Sequence, residues 1–364
     1  MNIPSQSSNP TASSLAAAGC SCLALALSFY GLARFDLPIT KYVRSVTIHL
    51  PWDQLTVPWM AFTSDMGDWI GQGWRLASVS LFLLAMGWIF EKPIIKRVAI
   101  QTLIAHGIAA LLANGMKHLI GRPRPKFVHA GDWQISMSWA SGLDSFPSGH
   151  STASFAIATV LAKRFPMWGP LCLAIAVFVG VSRVLRGSHF LTDVIGGAVL
   201  GILSGFVASA SFTQWRTSLQ EGLRYAAIAA SSAFGVLWTL SHQIEDGITG
   251  VAYITLGVAS LASGLWSRTG MWFTKERCSG LNKQQATASA LLLVYGLAAM
   301  TTSPLVLSAV GFVCLATWFE SCQRGPEPGE SLAKRSVLWE SAMMGTLLLA
   351  LLILLDARGV LPFP

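Results

Sequence analysis

The feature that most constrains this chain is its succession of long apolar blocks. Eleven segments are long enough, or nearly so, to cross a bilayer as helices: 15–33, 76–90, 98–117, 149–165, 168–183, 193–212, 224–241, 249–266, 286–302, 304–320 and 338–356. Lipid offers the backbone no hydrogen bonds, so each block must satisfy its own amides, and a helix does this within one segment. The expectation is an all-α polytopic membrane protein. Composition agrees: 12% of residues are charged, against roughly 25% in a soluble domain. Trp favours the interface between lipid and water, and Trp74, Trp168, Trp215, Trp266, Trp272 and Trp339 sit at block ends. Pro304 separates two blocks that would otherwise run together.

The stretch Met1 to Ser14 is polar and lacks Lys and Arg, unlike the basic start of a signal peptide. Ala17 to Cys20 loosely resembles a lipoprotein cleavage box, but it precedes most of the apolar run, which is read as a retained first span. Residues 34–74 are too polar to span, and Ile39 to Met60 is expected to form one or two short helices in the interface. The formal charge of +8 fits basic loops facing an anionic leaflet. No clustered basic face suggests nucleic acid. The six Cys include no CxxC pair, so neither a structural metal nor a disulfide framework is expected.

With the N-terminus placed in the cytoplasm, the inner loops collect Lys92, Lys96, Arg97, Lys163, Arg164, Arg216, Arg224, Arg268, Lys275, Arg277, Lys283, Arg324, Lys334 and Arg335. Two strongly basic loops then fall outside. One holds Lys117, Arg122, Arg124 and Lys126; the other holds Arg183 and Arg186. Basic residues that break the rule together need another role.

Those loops carry the chemistry. Lys117 to Pro125 reads KHLIGRPRP, with two cations seven residues apart and prolines that stop the helix. Pro147-Ser148-Gly149-His150 directly precedes an apolar block. Ser148 suits an N-cap, Gly149 allows close backbone approach, and the free N–H groups make an anion site. The third group is Ser182-Arg183, His189 and Asp193, where a carboxylate near an imidazole can fix its tautomer. Three cations, a helix N-terminus, two histidines and a carboxylate on one side form the set that phosphoryl transfer requires.

In order and spacing, K-x6-R-P, P-S-G-H and S-R-x5-H-x3-D resemble the three signature motifs of the type-2 phosphatidate phosphatase superfamily. The resemblance covers roughly residues 36–210 and implies a six-span helical bundle. It implies His189 as the nucleophile that becomes phosphohistidine, Asp193 as its orienting partner, and His150 as acid and then base. Lys117, Arg124 and Arg183 would hold the phosphate with Ser148 and the Gly149 backbone. Arg122 and Arg186 are extra cations beyond the motif. No cofactor and no metal are implied, since no Asp/Glu/His cluster has ligand spacing. The other histidines have plainer readings: His49, His129 and His242 as solvated, His106 as packed inside the bundle.

The expected division is a phosphatase core at 1–212 and a membrane module of about five spans at 213–364, with no recognised motif. That module reads as a groove-shaping unit or a homodimer platform, with Gly250, Gly257 and Gly264 offering close helix contact. The expected partners are a lipid phosphate substrate and the bilayer. Undecaprenyl diphosphate is the first candidate, hydrolysed at the outer face of the cytoplasmic membrane. Lipid A, phosphatidylglycerol phosphate and lipid-to-lipid phosphotransfer are the alternatives. Vanadium haloperoxidases share the motifs but are soluble, and a non-catalytic transporter would not need both histidines and Asp193.

Overall fold

A computed structural model describes residues 12–47, 58–127, 137–140, 142–242, 247–273 and 283–323. Their elements are helices: α1 Ala12–Thr47, α2 Pro58–Gly71, α3 Gly73–Ile89, α4 Pro93–Ile120, α5 Gly149–Arg164, α6 Gly169–Leu185, α7 Leu191–Ser209, α8 Trp215–Ser241, α9 Ile248–Phe273, α10 Lys283–Ala299 and α11 Pro304–Gln323, with a short 3-10 turn at Pro125–Phe127. No strand occurs among the described residues, as the apolar blocks require.

Ten of the eleven expected blocks lie on these helices; the eleventh, 338–356, falls outside the described residues. Among the described residues six helices are long and apolar enough to cross a membrane: α1, α4, α7, α8, α9 and α11. The chain is a multi-pass membrane protein. Helices α3, α6 and α10 are apolar but shorter. Helix α5 departs most from the expectation of a span. Its 16 residues bury Ser151, Thr152, Ser154 and Thr159 rather than facing them outward. Hydroxyls can return their hydrogen bonds to the helix, as Thr152 Oγ1 does to the Ser148 carbonyl at 2.8 Å. The expected interfacial stretch also differs. Helix α1 continues through Pro38 to Thr47, and α2 begins at Pro58; residues 48–57 between them fall outside the described residues. Pro304 does what its missing N–H predicts, opening α11 after a turn that follows Ala299.

The chain divides into two compact units. One comprises Leu32–Ala226, the other Met1–Gly31 with Ala227–Pro364. In the first, α5 lies against α4, α6 and α7, and α2 against α6. The closest seam is α5 on α7, and it is set by glycine spacing. A Cβ on Gly197, Gly201 or Gly205 would stand 2.6, 2.5 and 2.8 Å from the carbonyls of Ser148, Thr152 and Ala156. Small residues every fourth position let helix backbones approach where lipid gives no hydrophobic drive between helices. Phe155, Ala158, Ile202 and Phe206 fill the next layer with Ala176 and Ala226. This seam fixes the start of α5 against the start of α7, where the motif residues cluster.

In the second unit α10 packs on α9 and α11, and Ala24, Ala227 and Val313 share a core. Two of the glycines expected to offer a dimer seam, Gly257 and Gly264, face neighbours within this unit. A Cβ at Gly257 would meet Met300 Cγ at 2.7 Å, and one at Gly264 would meet Leu293 at 2.9 Å.

Candidate active site

Three segments meet at one end of the first unit. Helix α4 ends at Gly121, left-handed at φ 57, whose N–H bonds back to the Lys117 carbonyl. The chain then passes Pro123 and enters the 3-10 turn at Pro125. Two backbone hydrogen bonds clamp it to the segment before α5: Arg124 N–H to the Gly142 carbonyl and Ser145 N–H to the Arg122 carbonyl, both 2.9 Å. Gly142 has φ +93, a conformation that side chains disfavour. A third bond, Ser148 N–H to the Asp193 carbonyl at 3.0 Å, ties that segment to α7. The three motifs are thus joined by main chain before any side chain is considered.

Ser148 sits at the N-cap of α5, yet its side chain makes no capping bond; its hydroxyl accepts from Ser151 Oγ at 3.1 Å. The first N–H groups of α5 therefore stay outside the helix's own bonding, as an anion would need. Lys117 reaches the same place: a Cβ on Gly149 would lie 3.7 Å from its Nζ.

His189 is buried between α6 and α7. Its Nδ1 lies 2.8 Å from the Ser145 carbonyl and 3.8 Å from Asp193 Oδ2. A carbonyl only accepts, so Nδ1 carries the proton and Nε2 keeps its lone pair. The direct tautomer-fixing contact is the Ser145 backbone. Asp193 acts one bond behind it, accepting from Ser145 Oγ at 2.5 Å and Phe190 N–H at 2.8 Å. Burial holds the His189 imidazole below its ordinary pKa, and the nearby Asp193 charge offsets this only in part. The ring is therefore neutral, the form a nucleophile requires.

Arg122 proves to be structural wiring rather than a phosphate ligand. Its guanidinium bonds Asp193 Oδ1 at 2.5 Å, Thr192 Oγ1 at 2.7 Å and Asp36 Oδ2 at 2.8 Å, and lies 4.3 Å above the Phe190 ring. Asp36 also accepts from the Thr192 N–H and hydroxyl at 3.0 and 2.5 Å. Both carboxylates are fully buried. The polar part of α1, expected to lie in the interface, here supplies a buried anchor.

Two more carboxylates face the expected phosphate ligands. Asp144 takes Arg124 bidentately, at 2.8 and 2.6 Å, and lies 4.0 Å from Lys117 Nζ. Burial alone would raise its pKa, but hydrogen bonds and charge from Arg124, with Lys117, outweigh this and hold it below the usual range. Asp68, on α2, bonds Arg183 Nη1 and stands 3.4 Å from His150 Nε2. Arg186 lies 3.7 Å from Asp68 and 3.4 Å from Asp65. The structure so brings together every expected site residue: Lys117, Arg124, Ser148, Gly149, His150, Arg183, His189 and Asp193. His106 lies half-buried within α4, under Gly73, and His242 is exposed and stacked on Trp238. His49 and His129 fall outside the described residues. Sequence reasoning missed Asp36, Asp68, Asp144 and Ser145. Only the last two carried a signal, as the residues just before the P-S-G-H run.

The family model described as "PAP2 superfamily" matches residues 98–217. The undecaprenyl-diphosphatase BcrC of Bacillus subtilis is 30% identical over 135 residues, covering 37% of this chain and 67% of that protein. This chain belongs to the PAP2 superfamily. Among other PAP2 relatives, the lipid A 1-phosphatase of Rhizobium johnstonii is 40% identical over 95 residues, covering 26% of this chain and 39% of that protein. The phosphatidylglycerophosphatase B of Bacillus subtilis is 36% identical over 119 residues, covering 29% and 53%. The chain thus spans about two fifths to a half of the length of the first curated relatives it matches. Asp36, Asp65 and Asp68 precede the PAP2 match, as does the whole of α2.

Proposed function

We propose that this protein is a metal-independent lipid phosphatase, with His189 as nucleophile. Nε2 of His189 attacks the phosphorus; the bond to the leaving oxygen breaks, and His150 gives that oxygen its proton. Water, deprotonated by His150, then releases phosphate from His189. Lys117, Arg124, Arg183 and the start of α5 bind the phosphoryl oxygens, and Asp193 holds Ser145, and through it His189, in place. The observation that carries this reading is the Nδ1 contact to the Ser145 carbonyl at 2.8 Å, which leaves Nε2 as the reactive nitrogen beside the three cations.

The substrate we favour is undecaprenyl diphosphate, which is supported by the BcrC likeness; the lipid A and phosphatidylglycerol phosphate readings rest on the other two relatives. A phosphate-release panel over these three lipids in detergent micelles tests the proposal. Release from at least one, fastest from undecaprenyl diphosphate, is expected. Silence on all three contradicts phosphatase function, and a phosphate that moves to a second lipid rather than to water makes the protein a phosphotransferase. The basic-residue count further supports an N-in arrangement in the cytoplasmic membrane with the motifs outside. Labelling of a single Cys placed at position 132 without permeabilising that membrane tests this side assignment. Residues 213–364 are read as a separate membrane module that shapes lipid access or holds two copies together.

A further inference from the structure

An anion site with a carboxylate in it calls for an account. Asp68 reaches the site from α2, which lies before the PAP2 match. Its side chain is partly buried, at 23% exposure, and stands among Arg183, Arg186 and His150. A fixed negative charge there repels a phosphate dianion, so it weakens the binding that Lys117, Arg124 and Arg183 supply.

The charges around His150 suggest what the carboxylate contributes. The imidazole of a general acid must carry a proton when the leaving oxygen departs. Burial, first, and then the charges of Arg183 on α6 and Lys117 on α4 all oppose a proton on His150 and push its pKa down to about 3. On α7, Asp193 is bonded to Arg122 and Ser145. On α3, Arg75 turns to the Trp69 carbonyl and to the Trp69 and Trp74 rings. On α5 itself, the neighbouring side chains Ser151 and Thr152 are neutral. Asp68 supplies negative charge at ion-pair distance, 3.4 Å from Nε2. Burial and the cations that bind substrate therefore work against the acid, and Asp68 offsets them in part.

We infer that Asp68 is the positioning carboxylate of His150, facing its Nε2 and favouring a proton there as the leaving oxygen departs, so that Nδ1 can pass a proton to that oxygen and later recover one from water. The site then contains two histidines in different settings: His189, with Nδ1–H on a backbone carbonyl, and His150, with Nε2 3.4 Å from a carboxylate. The same Asp68 steadies Arg183, so the acid and the phosphate clamp share one anchor on α2. This inference rests on the phosphatase reading for its proton transfer. The closeness of Asp68 to His150 does not.

The test is Asp68→Asn, which keeps shape and removes charge, with Asp68→Glu as the conservative control. An opposite charge within a few ångströms is worth about 1–3 pH units of imidazole affinity for protons. In the Asn variant the high-pH limb of kcat/KM should therefore move to lower pH by about one unit, and Asp68→Glu should restore it. The loss should also depend on the leaving group. With an alkyl phosphate the Asn variant should lose roughly 10²-fold in kcat; with an aryl phosphate, whose leaving oxygen departs without a proton, the loss should be clearly smaller. A 13C-histidine titration gives a readout independent of turnover, in which the His150 signal titrates lower in Asp68→Asn than in wild type. An unmoved limb with a uniform loss at every pH and for both leaving groups would mean that Asp68 only steadies Arg183, and would overturn the inference. So would an unmoved His150 titration. A wild type that releases no phosphate from any substrate would instead remove the phosphatase reading, and the acid role of His150 with it.

Discussion

Replacing Arg122 by Met should unfold the site from behind without touching a phosphate ligand. The guanidinium joins two carboxylates, Asp36 and Asp193, that have no exposed side-chain surface. Removing one member of a buried ion pair typically costs about 3–5 kcal/mol, because a charge is left uncompensated. Here two are left, but neither is bare. Asp193 keeps Ser145 Oγ and the Phe190 N–H, and Asp36 keeps both Thr192 donors. The loss should therefore sit near the lower end, about 3 kcal/mol. A lysine brings charge without the fork that reaches both carboxylates, so Arg122→Lys should recover only part of it. Adding Asp36→Asn to Arg122→Met should cost less than the sum of the two single changes, since they share one network. Reversible unfolding in mixed micelles, followed by Trp fluorescence, measures all four. A loss below about 1 kcal/mol in Arg122→Met, the level of an exposed pair, would refute the buried bridge; so would strict additivity with Asp36→Asn.

Three further outcomes follow from the same geometry. Gly201→Leu would drive a side chain into the Thr152 carbonyl, 2.5 Å from where its Cβ would stand, and should lower stability by about 1–3 kcal/mol or more as overpacking; unchanged unfolding would contradict the α5–α7 seam. His189 has a folded pKa below its unfolded value near ~6.5, so the unfolded state binds more protons there. Stability should fall as pH drops through about 6.5 towards the lower folded value, and His189→Gln should remove that part of the slope in micelle unfolding curves. Turnover should survive EDTA, because Lys117, Arg124 and Arg183 supply the charge a metal would give; a loss restored by magnesium would contradict this.

The fold class was legible because spans must be apolar throughout and separated by polar or proline-bearing turns, a pattern that needs no tertiary knowledge. Helix α5 shows the limit of that logic. A helix buried on several sides by protein can hide hydroxyls, so hydropathy mistakes its environment. The site residues were legible for a different reason: Lys117, Arg124, Ser148, His150, Arg183, His189 and Asp193 stand at fixed offsets beside helix ends. Their supports were not. Asp36 and Asp68 lie 157 and 125 residues before Asp193 in a polar stretch whose pattern alone suggests an interface; only packing of α1 and α2 brings them in. Ser145 acts through its carbonyl and hydroxyl together, and no side-chain pattern announces a backbone acceptor. The role of Arg122 was hidden by its setting, since one more cation in a basic loop carries no sign of the carboxylates it will meet.

The most direct test of the central claim is to trap the intermediate. Wild-type protein turning over a 32P-labelled lipid phosphate should, on a rapid alkaline quench, carry label on the peptide containing His189, as acid-labile phosphohistidine. His189→Gln should carry none and turn over no substrate. Turnover by wild type without label at His189, at a quench fast enough to catch the intermediate in a pre-steady-state burst, would contradict the account, as would near-normal activity in His189→Gln. Either result would make water the attacking group.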